Sequence, residues 1–353
     1  MRYQAFGRHS GLRISEYVLG TANFGSAPSA AGLEGAKVLF DYYVEAGGTT
    51  FDTSNIYQGG EAESVLGDLL GRERDDYVVI TKYTGTRSAH VRPGTTGNNR
   101  KTMIRSLEAS LRRLKTDYVD IFMPHLPDGL TPMPEIVAGL EDLVSSGKIR
   151  YGGLSNFPAW RAAGAAAAMS DVRRHAALVG VQTEYSLAER SAEREHLPMA
   201  EAHGLGVLLY SPLAGGLLTG KYRRGEQGRL SGRNGPGVGS DPDGARRSAV
   251  LDAVLKVADD LGTGPVQVAL SWLRRRAAES TTSMIPVVGP RTQPHLESYL
   301  DALRVELDPE HYRLLDEVSA VTLGAPHDDV IAALAHGTDG DRSNLDLPYV
   351  PVI

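Results

Sequence analysis

The chain alternates short apolar runs with stretches of helical periodicity. Apolar runs fall at 18–21, 49–52, 77–81, 118–122, 150–154, 178–182, 207–210 and 284–287, each short enough to be a strand buried on both faces. Between them the apolar residues recur at helical spacing. In 134–146, Ile136, Leu140, Leu143 and Val144 share one face, Pro134 suits the first turn, and Gly147 suits the C-terminal cap. From about 29 to 46, Leu33, Ala36, Phe40 and Tyr43 form a stripe that Gly47 and Gly48 end. In 101–115 the spacing turns Ile104, Leu107 and Leu111 inward. Most strand-to-strand intervals are about 30 residues, one βα unit. Eight such units predict a closed (β/α)8 barrel, a TIM barrel, with a doubly wound open sheet as the alternative.

Two segments interrupt the alternation. The interval from 210 to 284 exceeds one unit and contains 223–245, rich in Gly, Arg, Asp and Ser. It reads as a long mobile loop after strand seven, and loops of that length in a compact domain are usually functional or disordered. The tail, 323–353, ends in LPYVPVI and carries weak periodicity, so no element is assigned to it. The whole, 1–353, reads as a single barrel domain.

Composition removes several classes of function. The 353 residues are 41% hydrophobic and 23% charged, which is ordinary globular usage. The net charge of −6 is spread along the chain, so neither a nucleic-acid nor a membrane-surface partner is expected. The basic run 274–276 follows the apolar 268–273 and suits a helix C-terminus. There is no cysteine, which excludes disulfides, thiolate nucleophiles and zinc–sulfur sites. No run approaches the roughly 18 apolar residues of a membrane span, and MRYQAFGRHSGLR has no signal-peptide core. A cytoplasmic location is expected.

Barrel chemistry gathers where the strands end. Asp52 ends strand two, Lys82 follows strand three, and His125 follows strand four. Ser155 and Asn156 follow strand five, Gln182 ends strand six, Tyr210 and Ser211 end strand seven, and Gly289 and Arg291 follow strand eight. In FDTSNIY, Tyr57 stands five residues after Asp52. A free phenol has a pKa of about 10, and an adjacent ammonium such as that of Lys82 stabilises the phenolate. Asp52 would keep the lysine charged, and His125 would orient a substrate oxygen. These four groups make a proton-transfer site suited to a carbonyl becoming an alcohol.

FDTSNIY, TKY with Lys82, IFMPH with His125, GGLSN, VQTEYS and YSPLAGGLLTGKY together resemble the aldo-keto reductase family. The resemblance runs from about Arg2 to Leu307 and includes GRHSGLRISEYVLGT, similar to that family's N-terminal hairpin, here 1–15. It implies a (β/α)8 barrel that reduces a small-molecule aldehyde or ketone with NADPH, sometimes NADH. Tyr57 would be the general acid, tuned by Lys82 and Asp52, with His125 orienting the substrate.

A hydride donor is needed, and no G-x-G-x-x-G lies between a strand and a helix. GGLLTGKY, 215–222, fits most of a P-loop, but Tyr222 replaces the magnesium-binding Ser or Thr. The resemblance implies another arrangement. Ser155, Asn156 and Gln182 would bind the nicotinamide carboxamide, and Tyr210 would stack on the ring. Ser211, Pro212, Leu213, Ala214 and Lys221 would follow the pyrophosphate, with 223–245 folding over it. Gly20 and Thr21 would touch the ribose, while Gly289 and Arg291 would meet the adenosine end. Arg291 matches a 2′-phosphate, which favours NADPH. Ser298 and Tyr299 stand where the family has an acidic–Asn pair for the adenine, so NADH stays open.

Phe24 and Tyr83, beside Tyr57 and His125, are candidates for the substrate pocket, as are Phe157 and Trp160; each reads equally as core. The loop 85–99, with His90, Arg92, Thr95 and Thr96, is expected to border it. No metal site is expected: His196 and His203 are seven apart, with no ligand clustered near either. The Tyr-x-x-x-Lys pattern of short-chain dehydrogenases is missing around Tyr57. The alternative function is a cofactor-binding regulatory protein with little turnover, like the channel-associated members of that family.

Overall fold

In the computed structural model of the chain, eight parallel strands close into a barrel. The structure describes residues 1–86, 90–92, 94–169, 178–228, 230 and 243–333. An antiparallel hairpin comes first: β1 (Tyr3–Ala5) pairs with β2 (Arg13–Ser15). The barrel strands follow as β3 (Val18–Gly20), β4 (Thr50–Asp52), β5 (Val78–Tyr83), β6 (Val119–Pro124), β7 (Ile149–Ser155), β8 (Leu178–Glu184), β9 (Gly206–Tyr210) and β10 (Met284–Val288). Each pairs with the next, and β10 pairs with β3 to close the ring. These are the eight strands expected from the sequence, shifted at their ends by one or two residues.

Helices return the chain on the outside. They are α1 (Leu33–Glu45), α2 (Glu61–Leu70), α3 (Arg100–Leu114), α4 (Met133–Ser145), α5 (Ala159–Ala168), α6 (His196–Ala202), α7 (Gly244–Asp260), α8 (Pro265–Ala278), α9 (Gln293–Asp301), α10 (Pro309–Ser319) and α11 (His327–Ala333). The interval after β9 is long because it holds both α7 and α8. Residues 229 and 231–242 of the expected loop, 170–177, and 334–353 of the tail lie outside the described residues. Among the described residues no helix is long and apolar enough to cross a membrane.

Two apolar layers form, one inside the barrel and one between strands and helices. The inner layer includes Phe6, Ile80, Ile121, Met123, Val179, Leu208 and Ile285. Phe6, just past β1, plugs the barrel floor: a Cβ on Gly180 or Gly206 would lie 2.4 Å from its ring, so only glycine admits it. The outer layer takes alternate residues of the same strands, such as Phe51, Tyr83 and Phe122.

Two helix faces differ from the periodicity reading. Leu33 opens α1 and is 56% exposed, and the buried stripe is Ala36, Leu39, Phe40 and Tyr43. On α3, Ile104 faces out, while Met103, Leu107, Leu111 and Leu114 pack inward. In each case one apolar residue was assigned to a face whose centre lies elsewhere. The 274–276 run lies near the end of α8, and the Arg274 guanidinium donates to the carbonyls of Ala302 and Val305.

Candidate active site

The end of β4 delivers Asp52 into the barrel mouth, and β5 delivers Lys82 from the same side. Both side chains point inward because Phe51 and Tyr83, their neighbours, point outward. The Lys82 Nζ donates to both Asp52 carboxylate oxygens at 2.7 Å and to the Thr53 carbonyl at 2.9 Å. Neither side chain is appreciably exposed: 0% for Lys82 and 3% for Asp52. Gln182, from β8, donates its amide to Asp52 Oδ1 at 3.0 Å. The carboxylate is therefore held from the neighbouring β5 and from β8, across the barrel from β4.

After β4 the turn 53–56 leads to Tyr57, which opens the short stretch Tyr57–Gly60, where Gln58 and Gly59 take positive φ. Lys82 Nζ sits 5.2 Å from the Tyr57 ring centroid, and the phenol is among the groups that favour the charged lysine. Burial acts to lower the Lys82 pKa, but Asp52 and Tyr57 together overcome it and raise the value. The lysine is therefore a fixed cation beside a half-buried phenol.

His125 follows β6 and stands edge-on to Tyr57, with ring centroids 5.9 Å apart at 79°. Its pKa is lowered to about 3, first by burial and then by the Lys82 charge, so the ring is neutral. Its backbone is clamped: His125 N–H donates to the Tyr83 carbonyl at 2.7 Å and to Thr84 Oγ1 at 3.1 Å. Asn156 Nδ2 donates to its carbonyl at 2.9 Å. Thr84 has φ +123°, a strained conformation for a β-branched residue. Its hydroxyl bonds Asn98 Oδ1 at 2.5 Å, and Asn98 is itself tied to Leu126 and Asp128. Ser54 Oγ lies 3.1 Å from His125 Nδ1.

The candidate cofactor residues line the same rim. Thr21 donates to the Asp52 carbonyl through both its N–H and its hydroxyl. Asn156, at φ +59°, gives its Nδ2 to Ser155 Oγ at 3.0 Å and takes the Tyr210 hydroxyl at 2.8 Å. Beyond Tyr210, the chain turns through Ser211 and Ala214, both at positive φ, into a one-turn stretch, Ala214–Thr219. Lys221 is cradled by glycine: a Cβ on Gly216 would lie 2.8 Å from its Cε, and one on Gly228 2.5 Å from its Nζ. Tyr222 closes the cradle by donating to the Gly215 carbonyl and accepting from Leu230 N–H. Across the mouth, Asn23 holds the Gly289 and Pro290 carbonyls, and Arg291 donates to the Ser29 carbonyl. His295, on α9, has its pKa lowered by burial first and then by Lys221 and Arg291. The rim therefore carries Lys221 in a glycine cradle and, on the β10 side, Arg291, cationic groups suited to the phosphates of a dinucleotide. Ser298 accepts from Gln267, and Tyr299 packs, partly buried, against the outer layer.

Two pocket assignments are corrected. Phe24 and Tyr83 have no accessible surface and cannot line a mouth. Tyr83 follows Lys82, so strand alternation sends it outward, where it stacks on Phe122 at 4.9 Å. Phe24 is turned into the outer core by the bend at Thr21. Phe157 is likewise buried, while Trp160, 76% exposed, lines an apolar hollow of about 660 Å³ between α4 and α5 with Leu130 and Met133. The residues that sequence reasoning missed are Ser54, Thr84, Asn98 and His295. Ser54 had one available signal, a hydroxyl two residues after Asp52 in the rim turn. Among the described residues no group of His, Asp and Glu could hold a metal ion.

Residues 16–320 match the family described as "Aldo/keto reductase family". The chain is 35% identical to "Uncharacterized oxidoreductase YrpG" of Bacillus subtilis (strain 168), over 90% of this chain and 96% of the relative. It is 30% identical to "Norsolorinic acid reductase B" of Dothistroma septosporum, over 96% and 86% respectively. It is 33% identical to "Putative voltage-gated potassium channel subunit beta" of Schizosaccharomyces pombe, over 88% and 91%.

Proposed function

The chain belongs to the aldo/keto reductase family, as an NAD(P)H-dependent oxidoreductase, and on that premise we propose that it reduces an aldehyde or ketone with NADPH and with Tyr57 as general acid. The observation that carries the proposal is the buried Asp52–Lys82 pair set against the Tyr57 phenol. When bound, NADPH supplies the hydride. As charge builds on the carbonyl oxygen, Tyr57 gives up its proton, and the Lys82 ammonium stabilises the phenolate left behind. Asp52 keeps that ammonium charged and in place. The neutral His125 ring donates a hydrogen bond to the carbonyl oxygen and orients it.

For the cofactor, Ser155, Asn156 and Gln182 would hold the carboxamide, and Tyr210 would support the ring. Gly20 and Thr21 would meet the ribose, and Ser211, Pro212, Leu213, Ala214 and Lys221 the pyrophosphate. Gly289 and Arg291 would meet the adenosine end. The preference for NADPH over NADH rests on Arg291, whose guanidinium matches the geometry of a 2′-phosphate. Of the candidate pocket residues, Tyr57 and His125 remain.

The test is aldehyde-dependent oxidation of NADPH and NADH, run side by side on aromatic aldehydes and ketones. Turnover that favours NADPH is expected. Tight NADPH binding with no turnover on any carbonyl would instead support a regulatory subunit, the reading that the channel-subunit relative favours.

A further inference from the structure

We propose that Ser54 is a positioning residue: it donates its hydroxyl proton to His125 Nδ1 and thereby fixes the imidazole as the tautomer protonated on Nε2. The inference rests on the carbonyl-reductase reading for its purpose, since a carbonyl oxygen offers only lone pairs and needs a ring N–H facing it. It rests on geometry for the rest. Ser54 is fully buried, and its Oγ is 3.1 Å from Nδ1. Among the described residues it is the hydrogen-bond partner of that nitrogen, whose orientation a merely apolar wall would leave undetermined.

The spacing between the two groups is set by a single strand end. Thr53 N–H donates to the Ile80 carbonyl and Asn55 N–H to the Lys82 carbonyl, so the turn that carries Ser54 is sewn to β5. His125 N–H donates to the Tyr83 carbonyl on the same strand. Neither backbone can drift without breaking a strand-end hydrogen bond.

The hydroxyl has one proton and two acceptors in range, Nδ1 at 3.1 Å and Asn55 Oδ1 at 3.4 Å. Distance favours Nδ1, because hydroxyl hydrogen bonds weaken quickly beyond about 3.0 Å. Ile56 N–H points at Ser54 Oγ from 3.4 Å and engages one of its two lone pairs, which biases the hydroxyl proton toward the ring. Facing the fully buried Ser54 hydroxyl, an unprotonated Nδ1 gains a hydrogen-bond donor that it would otherwise lack. The consequence is a ring held neutral and aimed, its N–H presented on Nε2.

The test reads the ring directly. Nitrogen-15 NMR of the cofactor-free full chain, with the His125 signals assigned by a His125→Asn control, reports which nitrogen carries the proton. The wild type is expected to show Nδ1 unprotonated and hydrogen-bonded and Nε2 protonated. In Ser54→Ala both nitrogens shift toward the positions of a mixed tautomer population, and Ser54→Thr, which keeps the hydroxyl, restores the wild-type pattern. Carbonyl kcat/KM falls about five- to tenfold in Ser54→Ala, as expected for one neutral hydrogen bond, with the NADPH Kd unchanged. A wild-type ring protonated on Nδ1, or an Ser54→Ala ring with unaltered nitrogen shifts, overturns the proposal. If the alanine variant does not fold, the wild-type spectrum alone decides. The spectrum needs no carbonyl turnover, so an inert protein with the expected tautomer would sink the reductase reading while leaving the Ser54 contact intact. An active protein with the opposite tautomer would do the reverse.

Discussion

Replacing Lys82 by Met removes the cation but keeps most of the side-chain volume. In the native protein the ammonium satisfies both Asp52 oxygens and the Thr53 carbonyl. After the substitution Asp52 stays buried, with the Gln182 amide as its remaining side-chain donor. Stranding a buried charge in this way costs about 3–5 kcal/mol. An unfolding entropy of about 2.1 cal/mol/K per residue over 353 residues converts that into a fall in Tm of about 4–7 °C. The double variant, Asp52→Asn with Lys82→Met, removes both charges and leaves a neutral amide where the carboxylate was. It should therefore be more stable than Lys82→Met alone, with a coupling energy of about 2 kcal/mol or more. Chemical denaturation of the wild type, both single variants and the double variant at neutral pH measures the cycle. If Lys82→Met stays within about 1 kcal/mol of wild type, or if the two substitutions add within about 0.5 kcal/mol, the pair is not the coupled buried unit described here.

Three further outcomes follow from the site. His125 is held at about 3 when folded against 6.5 when unfolded, so its contribution to stability is intact above pH 6.5 and is lost as pH falls toward 3; carbonyl kcat/KM should accordingly show no ionisation of this ring between pH 5 and 7.5, and a limb near 6.5 that disappears in His125→Gln would contradict this. Asp128, against burial, is held at about 2 by the hydroxyl of Thr131 and the backbone N–H groups of Asn98, Thr131 and Leu130; Asp128→Asn should cost about 2 kcal/mol in urea denaturation at neutral pH, and its share of wild-type stability should be present above the ordinary carboxylate range and vanish as pH falls through about 2. Arg291→Ala should raise the NADPH Kd by roughly 10–100-fold and leave NADH nearly unchanged in fluorescence titrations, since a charge-assisted hydrogen bond contributes about 1.5–3 kcal/mol.

The barrel was legible because parallel strands covered on both faces carry short apolar runs, as at 78–80, 121–123, 207–210 and 284–288. The rim chemistry was legible for a related reason: Asp52, Lys82 and His125 are polar groups placed where those runs stop. Side-chain direction was less so. The same alternation that aims Lys82 inward sends Tyr83 to the outer layer, and the pocket assignment overlooked it. Ile104 and Leu33 show the helical version of the problem, since a single apolar residue flanking a stripe carries no mark of which side it faces. Contacts between distant segments were out of reach altogether. Ser54 and His125 are 71 residues apart, and only the pairing of β4 and β6 with β5 brings them to 3.1 Å. The bonds from Asn23 to the Gly289 and Pro290 carbonyls likewise join two loops whose proximity no local pattern encodes.

The central claim is that a fixed cation lets the Tyr57 phenol deliver the proton that accompanies hydride transfer. Its most direct measurement is deuterium transfer from C4-deuterated NADPH to the carbonyl carbon of an aromatic aldehyde, at saturating cofactor, in wild type and Tyr57→Phe. Label should appear on the alcohol carbon in wild type, and its rate should fall by about 10²–10⁴-fold in the variant while NADPH binding is kept. Equal rates of transfer in the two proteins would contradict the assignment of the proton to Tyr57.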